Sequence, residues 1–200
     1  MLKLRKVAIT GGLSCGKSTV CRFFKHLGAY VVSADEIVHQ LLSPNTDLGQ
    51  KVIDLLGSDV LNDQHFDRAK IANKVFLDKE LLRSYENLLH PAVRDEVERQ
   101  YQRVCKDPYT KLFIVEIPLL FETGSDNQYD ATIAVIADPE ICRQRLKEAK
   151  GHEAQEYDRR MARQISPKLK AEKATYVIEN NGSLDNLEQA VKKIYQQLTI

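Results

Sequence analysis

Apolar residues along this chain fall into short continuous runs separated by stretches of helical spacing. Val7-Ala8-Ile9-Thr10 is the first run and predicts a strand. Val20, Phe23, Phe24 and Leu27 then recur at helical spacing, and Gly28 stands where a helix would stop. Tyr30-Val31-Val32-Ser33-Ala34-Asp35 predicts a second strand ending in a carboxylate. A polar helix follows from Glu36 to about Leu42 and ends before Pro44. Leu48, Val52, Ile53, Leu55 and Leu56 predict a helix closed by Gly57, residues 58–66 read as loop, and Asp67-Arg68 opens a helix carrying Ile71, Val75 and Phe76. A long helical stretch runs from about Lys79 to Cys105, and Pro91 predicts a break or kink in it.

The apolar runs then return. Leu112 to Ile117 is nearly continuous and suits a buried parallel strand ended by Pro118. Ala131 to Ile136 is another, followed by Asp138 and Pro139 in the order of a helix cap and first turn. Residues 143–173 read as charged and helical. Tyr176-Val177-Ile178 is a last strand, and the final helix starts at Ser183 with Leu184, Leu187, Val191, Ile194 and Leu198 on one stripe. Strands alternating with helices predict a three-layer α/β domain with a parallel sheet, its ligands at the carboxyl ends of the strands. Asp35, Pro118 and Asn180 should share that edge. Residues 36–105 are too long for a crossover helix and form a helical insert.

Between the first strand and first helix lies Gly11-Gly12-Leu13-Ser14-Cys15-Gly16-Lys17-Ser18-Thr19. This is P-loop spacing in P-loop context. Glycines let successive N–H groups converge on phosphate oxygens, and the helix N-terminus adds its dipole. Lys17 would reach the β- and γ-phosphates, and the Ser18 hydroxyl would ligate Mg²⁺. The alternative, a glycine-rich turn with a chance Lys-Ser, does not explain the flanks.

Composition narrows the picture further. With 200 residues the chain can build one sizeable core, and 29 basic against 28 acidic residues leave a net charge of +1. That balance offers no support for a nucleic-acid or membrane surface as partner. Cys15, Cys21, Cys105 and Cys142 form no C-x-x-C pair, so a reducing, cytoplasmic setting fits best. No apolar leader and no run of membrane-span length is visible. Cys15 is either a thiol activated by the helix N-terminus or a small residue filling the loop.

Two classes of P-loop protein compete. A switch GTPase needs an Asn-Lys-x-Asp stretch, and Asn180-Asn181-Gly182-Ser183 lacks both the Lys and the Asp. A small-molecule kinase needs an acceptor site, a group for the acceptor proton and mobile arginines. Asp35, the helical insert and the arginine-rich segment supply candidates, and Asp35 also reads as a helix N-cap.

The ordered set Thr10-Gly11-Gly12, Gly16-Lys17-Ser18-Thr19-Val20, Ala34-Asp35, Asp67-Arg68, His90-Pro91, Pro118-Leu119-Leu120-Phe121-Glu122 and Asn181-Gly182 resembles the dephospho-CoA kinase family over essentially the full length. The resemblance implies ATP-dependent phosphorylation of the ribose 3′-hydroxyl of dephospho-CoA, the last step of coenzyme A synthesis, with Mg²⁺. It implies one P-loop kinase domain over 1–200, an acceptor-binding region at 36–105, a helical lid at 139–172 and the remainder as nucleotide-binding core. Asp35 would be the general base or orienting group. Arg68, His90 and Glu122 would surround the acceptor. For His90 the plainer role is a helix break with Pro91; for Glu122, a surface helix residue. Arg145 and Arg160 would meet ATP phosphates, and Asn181 and Gly182 would line the adenine. A monomer is expected, with an oligomer left open. The runner-up is a P-loop kinase for another small acceptor such as a nucleoside monophosphate, or a nucleotide switch.

Four positions depart from the family pattern. Ser14-Cys15 stands for the usual Gly-Ser, so Ser14 costs more at any positive φ. Glu116-Ile117-Pro118 stands for Asp-Val-Pro, changing the reach of an acid that could order Mg²⁺. Ala149-Lys150 stands where a lid arginine is usual, and Thr175 replaces an aspartate.

Overall fold

The computed structural model describes residues 4–150, 157–158, 161–162 and 164–200. Five parallel strands form its central sheet: β1 (Arg5–Gly11), β2 (Tyr30–Ser33), β5 (Leu112–Glu116), β6 (Ala131–Ile136) and β7 (Tyr176–Glu179), in the order β2-β5-β1-β6-β7. β1 is central, pairing Val7 with Ile114 of β5 on one side and with Ala131 of β6 on the other. Its residues Val7, Ala8 and Ile9 are fully buried, as covered parallel strands require. Helices α1 (Lys17–His26), α6 (Pro139–Lys150) and α8 (Leu184–Leu198) supply Phe24, Leu146 and Val191 to one apolar core with the strands. Helix α7 (Pro167–Lys173) packs on β6 and β1. Ser166 caps it, with Pro167 at its first position.

Contacts divide the chain into two compact units, one of Met1–Ser33 with Arg103–Ile200 and one of Ala34–Gln102. The second contains α2 (Ala34–Leu41), α3 (Asp47–Leu56), α4 (Arg68–Val75) and most of α5 (Lys79–Val104). Its own core joins Val52 and Leu56 of α3 to Ile71 and Val75 of α4, with Leu82 and Tyr85 of α5 packed against them. Thr46 caps α3 by accepting from Gly49 N, and Asp67 caps α4 by accepting from Ala69 N and Lys70 N.

Several expectations are corrected here. β2 stops at Ser33, and Asp35 lies in the first turn of α2, not at a strand end or an N-cap. An acid in the first turn suits the helix dipole, which lets the helix start early. Residues 58–66 are not plain loop. A 3₁₀ turn over Ser58–Val60 leads into the hairpin β3 (Leu61–Asn62) and β4 (His65–Phe66). Its turn residues Asp63 and Gln64 both have positive φ, at 45° and 65°, a type I′ geometry. α5 runs unbroken through Pro91, so the expected break is absent. Residues 143–173 are not helical throughout: among the described residues Tyr157, Asp158 and Met161 are helical, but residues 162 and 164–166 are not, and α7 begins at Pro167. In α8, Leu187, Val191, Ile194 and Leu198 are buried, but Leu184 is 62% exposed. Among the described residues no helix is long and apolar enough to cross a membrane.

Candidate active site

The phosphate loop occupies the carboxyl end of β1. Gly16 closes it in a left-handed conformation, φ 98°, and its carbonyl accepts from Thr19 N and Val20 N to start α1. Ser14 also adopts positive φ, 56°. A non-glycine residue there carries a conformational cost, so the loop holds this shape by its surroundings. Those surroundings are visible: Asn180, 6% exposed just after β7, donates from Nδ2 to Cys15 O at 2.9 Å. A Cβ on Gly16 would stand 2.2 Å from that Nδ2. A Cβ on Gly11 would stand 2.1 Å from Val135 O. The two glycines admit close backbone and side-chain approach from the neighbouring strands.

Lys17 Nζ donates to Gly12 O at 2.8 Å and Gly11 O at 3.2 Å, so its ammonium lies folded over the mouth of the loop. Ser18 Oγ stands 3.5 Å from Glu116 Oε1 at the end of β5. A hydroxyl and a carboxylate so placed are the oxygen donors a hard cation such as Mg²⁺ takes. Glu116 therefore belongs with Ser18, longer side chain notwithstanding. The Cys15 thiol is buried, and burial pushes its pKa up although Lys17 opposes this. An activated thiolate is not what this environment favours; Cys15 fills the loop's underside within the main core.

Arg145 on α6 donates from Nη2 to Asn180 O at 3.1 Å. Its Nη1 is buried and has no hydrogen-bond partner among the described residues. Gly16, Thr19, Arg145, Asn180, Gly182 and Leu184 border a cleft of about 180 Å³ beside the loop. Exposed Leu184 gives the cleft an apolar face. Asn181 is otherwise engaged: its Oδ1 accepts from Asp138 N at 2.8 Å, tying the β7 turn to the start of α6. Asn180, taken from sequence only as a strand end, is the residue that joins loop, cleft and arginine. No single-residue signal marks it.

The other expected site residues are placed as follows. Glu122 is neither free nor on a helix surface. Its Oε1 lies 3.0 Å from Lys170 Nζ and accepts from Ile165 N at 3.0 Å. Asp35, Arg68 and His90 all lie in the second unit. Arg68 is the exposed first residue of α4, and its charge opposes the rise that burial imposes on the Tyr85 phenol. His90 is half-buried within α5. Arg160 lies outside the described residues. Thr175 makes a reciprocal pair with Thr132, N to Oγ1 at 3.1 and 3.0 Å, at the entry to β7. Lys170, within the stretch that reads as charged and helical, is fully buried. Leu13 N donates to the Met161 sulfur at 3.4 Å, a contact on the phosphate loop that no motif announces.

Comparison with known proteins decides the family. The dephospho-CoA kinase family model matches residues 5–186. The chain belongs to the dephospho-CoA kinase family. A member from Protochlamydia amoebophila is 52% identical over 202 residues, covering 100% of this chain and 99% of its own. Among solved structures, a protein from Thermus thermophilus superposes with TM-score 0.85 at 30% identity, covering 99% of this chain and 100% of its own. The dephospho-CoA kinase from Campylobacter jejuni does so with TM-score 0.71 at 28% identity, covering 97% and 96%. Family membership makes the chain a kinase of coenzyme A synthesis, and neither a nucleotide switch nor a kinase for another acceptor is favoured.

Proposed function

We propose that this chain transfers the γ-phosphoryl group of ATP to the ribose 3′-hydroxyl of dephospho-CoA. The phosphate loop joined through Asn180 to Arg145 and the cleft carries the reading. It sets an anion nest, a free guanidinium N–H and an apolar wall side by side, as a nucleoside triphosphate requires. Triphosphate sits on the loop amides and Lys17, and one flat group enters the cleft against Leu184 and Gly182. Ser18 and Glu116 would hold Mg²⁺, which neutralises phosphate charge when bound.

Asp35 takes or orients the acceptor proton. The ribose oxygen forms its bond to the γ-phosphorus as the bond to the β-γ bridging oxygen breaks, leaving ADP and a proton on Asp35. Lys17 and Arg145 offset the charge that spreads over the transferring oxygens. Residues 36–105 bind the acceptor, with Arg68 and His90 as contacts. Residues 139–172 close as a lid, Arg160 among them, and exclude water. Cysteine spacing without a C-x-x-C pair suits a reducing cytoplasm, and the enzyme works as a monomer.

The test is ADP release with ATP·Mg²⁺ and, separately, dephospho-CoA, CMP, AMP or shikimate. Release should require dephospho-CoA; release without any acceptor would instead indicate a hydrolysing switch. Lys17→Ala should lower turnover by about two to three orders of magnitude with the fold intact. Asp35→Asn keeps the shape, and an unchanged kcat and KM would remove Asp35 from proton transfer.

A further inference from the structure

Lys170 is the most completely buried charged side chain described, with no exposed surface. An ammonium has three N–H donors. Here they meet three oxygens: Pro118 O at 2.6 Å, Glu122 Oε1 at 3.0 Å and Gln164 Oε1 at 3.1 Å. Burial lowers the Lys170 pKa, and Glu122 opposes that drop. Such a pair is a poor device for stability, because desolvation consumes the attraction and apolar replacements of similar size often do as well. Glu122 adds a further cost, since its Oε2 is buried without a hydrogen-bond partner among the described residues. The position of the pair supplies the missing reason.

Two of the three oxygens are shared with other parts of the molecule. Pro118 O also accepts from Thr10 Oγ1 at 3.1 Å, and Thr10 immediately precedes Gly11 of the phosphate loop. Glu122 Oε1 also accepts from Ile165 N. Gln164 and Ile165 are thus clamped to the turn that follows β5. Three residues before Gln164, the Met161 sulfur accepts from Leu13 N, and a Cβ on Gly12 would stand 3.4 Å from Met161 Cε. The chain returning from the 139–172 segment is therefore fixed at the cluster and, within one turn, touches the phosphate loop. Its outgoing end is fixed separately, by Arg145 on Asn180.

We infer that Lys170 and Glu122 are a positioning pair for phosphoryl transfer: a buried ionic latch that sets the returning root of the 139–172 segment relative to the phosphate loop. The inference rests on reading that segment as the lid. Ground-state nucleotide contacts, made by loop amides and Lys17, do not pass through the latch. Contacts made by the segment to the transferring group do. Loss of the latch therefore lowers kcat and leaves the KM for ATP nearly unchanged. A misplaced lid also admits water, so ATP hydrolysis rises relative to transfer.

The decisive variant is Lys170→Met combined with Glu122→Leu, which removes both charges together and leaves only Ile165 N and Gln164 Oε1 short of a partner. Its melting temperature should fall by no more than a few degrees below that of the unaltered enzyme. Its kcat per folded molecule should fall about tenfold or more, with ATP KM within about twofold. Lys170→Arg, which keeps the charge, should restore much of the rate. A kcat within about twofold of the unaltered enzyme would overturn the latch, as would a loss traceable wholly to unfolded protein. Should the double variant fail to fold, Glu122→Gln replaces it. Reduced kcat with unchanged dephospho-CoA KM supports the latch; unchanged kcat, or raised dephospho-CoA KM alone, overturns it in favour of an acceptor contact. Protection of residues 139–172 from trypsin by ATP·Mg²⁺ in the unaltered enzyme tests the lid separately. Its absence would sink the lid reading whatever the kinetics of the variants.

Discussion

Gly16 carries two demands at once. Its φ of 98° suits no side chain, and its α-carbon faces Asn180 Nδ2 so closely that a methyl group would stand 2.2 Å away. Gly16→Ala should therefore break the bond from Asn180 to Cys15 O as well as strain the backbone. We expect a loss of about 2 kcal/mol or more in urea unfolding, and loss of nucleotide binding by calorimetry. Ser14→Gly is the matched control. It relieves a positive φ and gives up only backbone entropy, so stability should stay within about 1 kcal/mol. At this scale the sequence was partly legible. Loop glycines, Lys17 and Ser18 were readable because their spacing is itself the geometry. Lys170 and Asn180 were not, because burial and partner are properties of the packed chain. Lys170 sits in a run of charged residues that pattern alone assigns to solvent.

Helix α5 keeps helical geometry through Pro91 for 26 residues. The proline has no N–H to give the carbonyl of Asn87, one turn back, and its ring crowds that carbonyl. Pro91→Ala should raise stability by about 1–3 kcal/mol in denaturant unfolding. If the His90-Pro91 step shapes the acceptor site, the same variant raises the KM for dephospho-CoA. The rule that proline ends a helix was outweighed here by a long helix on both sides of it. The 61–66 hairpin was missed for a different reason. Two-residue strands carry no alternation to read, and Asp63-Gln64 take positive φ without the glycine that usually signals a type I′ turn. Longer elements were legible: β1, β5, β6 and α8 each bury enough residues for their period to show.

Across the whole molecule, charge is nearly balanced, so the pH response should follow particular buried groups. Burial pushes the Tyr129 and Tyr157 phenols up to about 12. A pKa raised in the folded state means stability is complete below the unfolded value, near pH 10, and is lost as pH rises toward the folded value. Unfolding followed by circular dichroism should thus show stability falling between about pH 10 and 12. Tyr129→Phe should move the alkaline midpoint upward, since one of the two ionisations is gone. Sequence by itself determined the phosphate loop, the strands and helices flanking it and the order in which they occur, because those depend on contacts a few residues apart. Strand order was left to the tertiary structure. β1 lies between β5 and β6, more than 100 residues later, and this brings Glu116 to Ser18 and Pro118 to Thr10. β7 brings Asn180 to Cys15 across a separation of 165 residues. No local pattern encodes such a meeting: which strand ends become neighbours follows from how the helices cover the sheet, a property of the folded whole.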